Sequence, residues 1–277
     1  IRRQRQMCIR DRVDKMVNNG APAKRIHFLD ELRGLAVFCM VFYHAFFIIG
    51  SMFGIGWAYK LFDFFEPVQP LFAGIFIALC GISCSLSRNN LKRGLRLLAV
   101  AAGFTLVTAL ILPLMGIEGC EIYFGILHFL SIAIILCALL SKPLGRLSPA
   151  AGMLICAVLY PFTSGIEDGV LGYGELISLR LPSALYTTNI LMPFGIYSPS
   201  FYSGDYFPIF PNIFIFLFGF FIGRHCVMNS FPESLYKQRS RFLGFLGRRA
   251  LIIYIVHMPL IYLAAYIIIK MIGVMVS

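Results

Sequence analysis

Seven stretches of this chain are apolar for about the length a helix needs to cross a bilayer, roughly 20 residues each. They fall near 34–54, 67–87, 95–114, 122–141, 150–166, 209–224 and 250–274, with Gly, Pro and charged residues at the joints. A hydrocarbon core supplies no hydrogen-bond partner, so runs of this length are helices whose backbone groups pair within the segment. Hydrophobic residues make up 59% of the chain and charged residues 13%, whereas soluble domains sit nearer half and a quarter. The expected fold is therefore an all-α integral membrane protein, a bundle of about seven transmembrane helices in direct contact with the lipid bilayer.

The net charge of +11 would suggest nucleic acid in a soluble protein. Here its placement follows the positive-inside rule instead, and no nucleic-acid partner is expected. Lys24, Arg25 and Arg33, then Arg88, Lys92, Arg93 and Arg96, then Lys142 and Arg146, then Arg224, Lys237, Arg239, Arg241, Arg248 and Arg249 fall on one side if there are seven spans. The alternate connections are poor in Lys/Arg and lean acidic, with Lys60, Asp63 and Glu66, then Glu118 and Glu121, then Glu167, Asp168, Glu175, Arg180 and Asp205. This places the N-terminus in the cytoplasm and the C-terminus outside. The fifth connection, about 167–208, is long and carries the moderately apolar "LPSALYTTNILMPFGIY". A helix lying on or dipping into the outer face is expected there, because a span would invert the arginine-rich connection that follows. The eight cysteines form no CxxC pair, which argues against a disulfide framework or a metal site.

Residues 1–15 read differently from the rest. The run "QMCIRDR" resembles the translation of a transposon end used in preparing sequencing libraries, so a non-native leader is expected at 1–15, followed by a single transmembrane domain over 16–277.

Polar residues inside the apolar runs are the candidate chemistry. In "LDELRGLAVFCMVFYHAFF", Arg33 and His44 are eleven positions apart, which places them within about 20° on a helix, with Asp30 about 40° from His44. The rise between Arg33 and His44 is about 16 Å, which takes the imidazole toward mid-bilayer. An ionisable group at that depth is costly and marks a functional candidate, and an imidazole suits proton transfer near neutral pH. Glu31, by contrast, reads as an anchor of the helix end. His128 lies seven residues past Glu121 on nearly the same face, about 10 Å from the outer boundary. His257 lies eight residues past Arg249, just before Pro259. Three intramembrane histidines suggest a shared polar cavity. Asp205 stands at the outer mouth of the sixth run as either a helix-terminal charge or an acceptor-binding carboxylate.

At "LDELRGLAVFCMVFYH" the chain resembles the opening of the transmembrane acyltransferase superfamily, in which D-x-x-R-G begins the first helix and a histidine follows within it. Together with "FAGIFIALCGISCSLSR", "EIYFGILHFLSI", "DYFPIFPNIFIFLFGFFIGR" and "LGRRALIIYIVHMP", it is similar to the heparan-α-glucosaminide N-acetyltransferase catalytic-domain family from about Arg25 to Leu263. The resemblance implies acetyl transfer from cytoplasmic acetyl-CoA to an amine or hydroxyl of a sugar on the outer side of a bacterial inner membrane. It makes His44 the catalytic group, as general base or as the acetyl carrier. Asp30 and Arg33 would hold the cytoplasmic mouth, Arg33 facing a CoA phosphate, while His128, Asp205 and His257 would line the cavity. One departure is clear: the lysosomal enzyme has its catalytic histidine in the loop after this helix, and here no histidine stands between His44 and His128. The other reading of the same histidines is a proton relay in a transporter or flippase, for which internal repeats are expected and none is visible.

Overall fold

The computed structural model describes residues 25–116, 119–174 and 176–276; the expected leader at 1–15 lies outside the described residues. Helices dominate. Six helical stretches are long and apolar enough to cross a membrane: His27–Met52, Gly56–Leu86, Asn90–Leu114, Pro149–Asp168, Ile209–Asn229 and Ala250–Met271. A shorter apolar helix, Ile126–Leu139, occupies the place of the expected fourth span, so the chain is a multi-pass helical membrane protein with the seven apolar segments in the expected order.

The described residues fall into two compact units, one of residues 25–76 with 228–276 and the other of those between 77 and 227. In the first, α1 (His27–Phe47) continues into a π-helical turn, Ile48–Met52, and the chain reverses at Gly54. The φ of +72° at Gly54 is strained for any residue with a Cβ. Next come α2 (Gly56–Phe65), a 3-10 turn at Glu66–Val68, and α3 (Gln69–Leu86), whose second half passes into the other unit. The second helical stretch thus begins eleven residues before the expected 67, because the connection "GWAYKLFDFF" carries enough apolar residues to coil as α2.

The second unit adds α4 (Asn90–Leu106) with its π-helical turn Val107–Ile111, α5 (Ile126–Leu139), α6 (Ser141–Arg146), α7 (Pro149–Thr163) and most of α8 (Ile209–Asn229). Returning to the first unit, α9 (Arg241–Arg248) and α10 (Ala250–Val276) close the chain. The long connection before α8 is not the helix that its apolar piece suggested. It holds a hairpin, β1 (Val170–Gly172) against β2 (Ser178–Arg180) with Val170 opposite Arg180, and two 3-10 turns at Ser183–Thr187 and Met192–Phe194. Pro182, Pro193 and the left-handed Gly195 interrupt any longer coil. Tyrosine hydroxyls tie this connection to itself: Tyr206 donates to the Met192 carbonyl at 2.7 Å, Tyr197 to Glu167 at 2.7 Å, and Tyr186 to the Ile166 carbonyl. Burial, reinforced by the Glu167 carboxylate, pushes the Tyr197 phenol up, so it stays protonated and remains a donor.

In the first unit, α1 lies against α9 at backbone distance. A Cβ on Gly34 would run into the Leu243 carbonyl, and one on Gly247 into the Asp30 carbonyl. Such contacts let main chains meet where lipid offers no hydrophobic drive to association. Glu31, only 6% exposed, completes the joint: its Oε1 accepts from the backbone N–H groups of Arg239 (2.7 Å) and Ser240 (2.9 Å). Ser240 in turn caps α9 by accepting from the Leu243 N–H at 3.2 Å. The residue read from the sequence as a simple anchor is a carboxylate seated at the start of the adjoining helix. We expect Gly34→Val or Gly247→Val to cost about 1–3 kcal/mol by forcing the helices apart. The check is a drop in the thermal midpoint of the purified protein, while a substitution at open Gly103 leaves it nearly unchanged.

Candidate functional site

The charged residues at the opening of α1 are ion-paired. Asp30 Oδ2 accepts from Arg25 Nε at 2.7 Å and Asp30 Oδ1 from Arg33 Nη1 at 3.1 Å, with Asp30 only 8% exposed. Two guanidiniums share one carboxylate, and the neighbouring Glu31 carboxylate turns instead to the start of α9. The first helix is continuous from His27 to Phe47, so His44 lies about 16 Å along the axis from Arg33. The two stand on one helix without touching.

What His44 does touch is His257. His257 Nε2 is 3.3 Å from His44 Nδ1, with ring centroids 5.0 Å apart. Each ring is also held by its own helix: His44 Nδ1 is 3.0 Å from the Met40 carbonyl, and His257 Nδ1 is 2.6 Å from the Tyr254 carbonyl. A carbonyl oxygen only accepts, so both Nδ1 atoms carry hydrogen in the neutral pair. His257 Nε2 is then an acceptor, and the His44 N–H is shared between it and Met40. The lone pair of His44 is left on Nε2, on a ring that is part-exposed, while His257 is 6% exposed. An α-helix through "VFYH" and another through "IIYIVH" provide this geometry because each imidazole folds back on the carbonyl three or four residues before it. The π-helical turn Ile48–Met52 begins within one turn of His44, a placement common at functional sites. Helix α10 runs on through Pro259, whose missing N–H leaves the Ile255 carbonyl without its helical donor.

His128 belongs to the other unit, and its nitrogens are both occupied. Nδ1 accepts from the Gly125 N–H at 3.3 Å, and Nε2 stands 3.1 Å from Thr105 Oγ1. Thr105 spends its own hydrogen on the Ile122 carbonyl at 2.7 Å, so His128 Nε2–H donates to it. Asp205 lies beside the same helix start: its Oδ2 accepts from the Ile126 N–H at 3.0 Å, a carboxylate at a helix N-terminus. It is carried there by the end of the long connection, where Gly204 N–H donates to Glu121 O (2.8 Å) and Phe207 N–H to Phe124 O (3.1 Å). The sequence places Asp205 at the mouth of the sixth run, and the structure turns its Oδ2 to the start of α5 instead. The structure thus joins His44 with His257, Asp30 with Arg33, and His128 with Asp205 around the start of α5.

Residues 25–259 match the family model described as heparan-alpha-glucosaminide N-acetyltransferase, catalytic. The chain belongs to that family. Among curated proteins and solved structures, nothing matches it. Family membership gives the chain a membrane acyltransferase-like function in general, and it covers every residue of the constellations above. Among the described residues no cluster of three or more metal-ligating side chains occurs. Two contributors escaped sequence reasoning. Thr105 orients His128 from another helix, and the Met40 carbonyl orients His44; the first is an ordinary residue in an apolar run, and the second has no side-chain signal. We expect Thr105→Val to leave the His128 N–H and the Ile122 carbonyl unpaired, costing about 1–3 kcal/mol. A lowered thermal midpoint with no change in acceptor preference is the outcome that marks this corner as structural.

Proposed function

We propose that this protein moves an acetyl group from cytoplasmic acetyl-CoA to an amine or hydroxyl of a sugar on the outer side of a cell (inner) membrane, with His44 as general base. The observation that carries this reading is the hydrogen-bonded histidine pair, which leaves one bare, part-exposed imidazole nitrogen inside a membrane helix. Family membership supplies the reaction class, and the chemistry of the pair supplies the base.

In this reaction the acceptor O–H or N–H gives its proton to His44 Nε2 as the acceptor's electron pair attacks the thioester carbonyl carbon. The C–S bond then breaks, its electrons go to sulfur, and the proton held on His44 passes to the departing thiolate. The guanidiniums of Arg25 and Arg33 around Asp30 at this end of α1 suit the phosphates of the donor. The donor would enter at that end and its thioester would reach inward to His44. The span from Arg33 to His44 is about 16 Å, a distance an extended pantetheine arm covers. Asp30 would orient Arg33 for this contact. His128 and Asp205 would hold the start of α5 and the end of the long connection in one piece. The N-terminus is cytoplasmic and the C-terminus external in this arrangement, consistent with the Lys/Arg distribution.

Purified protein assayed for CoA release from acetyl-CoA with sugar acceptors tests this directly. His44→Ala is expected to lower kcat by ~10²–10⁴-fold without loss of the folded protein. Full turnover in that variant removes His44 as the base. Movement of a sugar across vesicles with no requirement for acetyl-CoA would instead identify a transporter.

A further inference from the structure

We propose that His257 is a positioning residue for His44. Its Nε2 accepts the His44 Nδ1–H and so holds the first ring in the tautomer whose Nε2 is bare. This rests on the reading of His44 as the base, and it changes the role expected for His257 from cavity lining to second ring of a pair.

The direction of each hydrogen bond follows from what the atoms can do. His257 Nδ1 faces the Tyr254 carbonyl at 2.6 Å. A bare nitrogen there would set two lone pairs against each other, so that nitrogen donates. With that hydrogen placed, a neutral His257 has only Nε2 left as an acceptor, and the atom it meets is His44 Nδ1 at 3.3 Å. The opposite arrangement, with His257 Nε2–H donating, needs a second proton on a buried ring within a membrane helix, a costly state. It also sets a bare His44 Nδ1 against the Met40 carbonyl at 3.0 Å. Two carbonyls on two helices therefore determine the positions of both hydrogens.

Burial separates the two roles. His44 retains accessible ring surface, whereas His257 is 6% exposed and has its ring edge turned to His44. When His44 Nε2 takes up the acceptor's proton, the resulting imidazolium keeps its Nδ1–H between two acceptors, Met40 O and His257 Nε2. His257 gains no proton in that step. The arrangement resembles the way a metal-bound or catalytic histidine is held by an acceptor on its far nitrogen, with an imidazole in place of the usual carboxylate or carbonyl. In a membrane-embedded site this choice adds no net charge.

The test compares His257→Leu with His257→Gln in the purified full-length chain, each checked for a wild-type-like thermal midpoint. Glutamine offers an amide oxygen to the His44 N–H but has no basic nitrogen. The leucine variant is expected to lose about tenfold or more in kcat, by analogy with second-shell losses of 10–100-fold, with KM nearly unchanged. Glutamine is expected to restore most of that loss. Equal loss in both variants overturns the proposal in favour of a proton relay through His257. A raised KM at unchanged kcat overturns it in favour of substrate contact, and wild-type kinetics in the leucine variant overturns it outright.

A second readout does not depend on turnover. In 15N-histidine spectra, with the His44 signals assigned through His44→Ala, the wild-type ring should carry hydrogen on Nδ1 and a bare Nε2. The leucine variant should show a mixture of tautomers. A wild-type His44 bare on Nδ1 overturns the proposal even if the leucine variant does not fold. If His44→Ala retains full turnover while the spectra still show the held tautomer, the acyl-transfer role of His44 fails and the pairing stands.

Discussion

A polar atom placed in lipid has to find its partner within the protein, and most of what can be said about this chain follows from that requirement. The backbone meets it by coiling. The side chains meet it by folding back on carbonyls of their own helices or by reaching a neighbouring main chain. His44 and His257 each do the first and then share the one remaining hydrogen between them. His128 is satisfied on both sides by Gly125 and Thr105. The difference between these rings is the basis for assigning their roles. The His128 ring has both nitrogens engaged in building a helix start. His44 keeps a bare, accessible one.

The same requirement explains how the charged residues of the opening motif divide their work. Asp30, though buried, is paired with both Arg33 and Arg25 at the helix end. Glu31, one residue on, faces inward and seats on the exposed N–H groups before α9. Gly34 then permits the main chains to touch. Within five residues the motif provides an ion-paired helix end, a contact to the start of α9 and a close crossing. The D-x-x-R-G pattern is thus in part a rule for packing α1 on α9.

Much of the architecture was legible in the residues themselves. Apolar run length marked seven segments in order, and the structure differs mainly at their edges: α2 coils where a connection was expected, and the long connection before α8 breaks into turns and a hairpin where one helix was expected. Both differences are local. Apolar content alone cannot distinguish a short helix such as α2 from a loop, and Pro182, Pro193 and Gly195 outweigh the apolarity around them. The candidate histidines were visible as ionisable residues in lipid-length runs. Their separate roles were not visible, because spacing along one helix says nothing about which residue of another helix stands opposite.

By itself, then, the sequence determined a multi-pass helical membrane protein, the family it belongs to, and the identity of His44 as the residue to explain. The tertiary structure alone decided that His44 is partnered by a histidine 213 positions away in the chain, and that Asp205 and Thr105 are used in building the start of α5. The physical reason is that a tautomer is a property of contacts. An imidazole's lone pair is directed by whatever holds its other nitrogen, and that partner is set by how the helices pack.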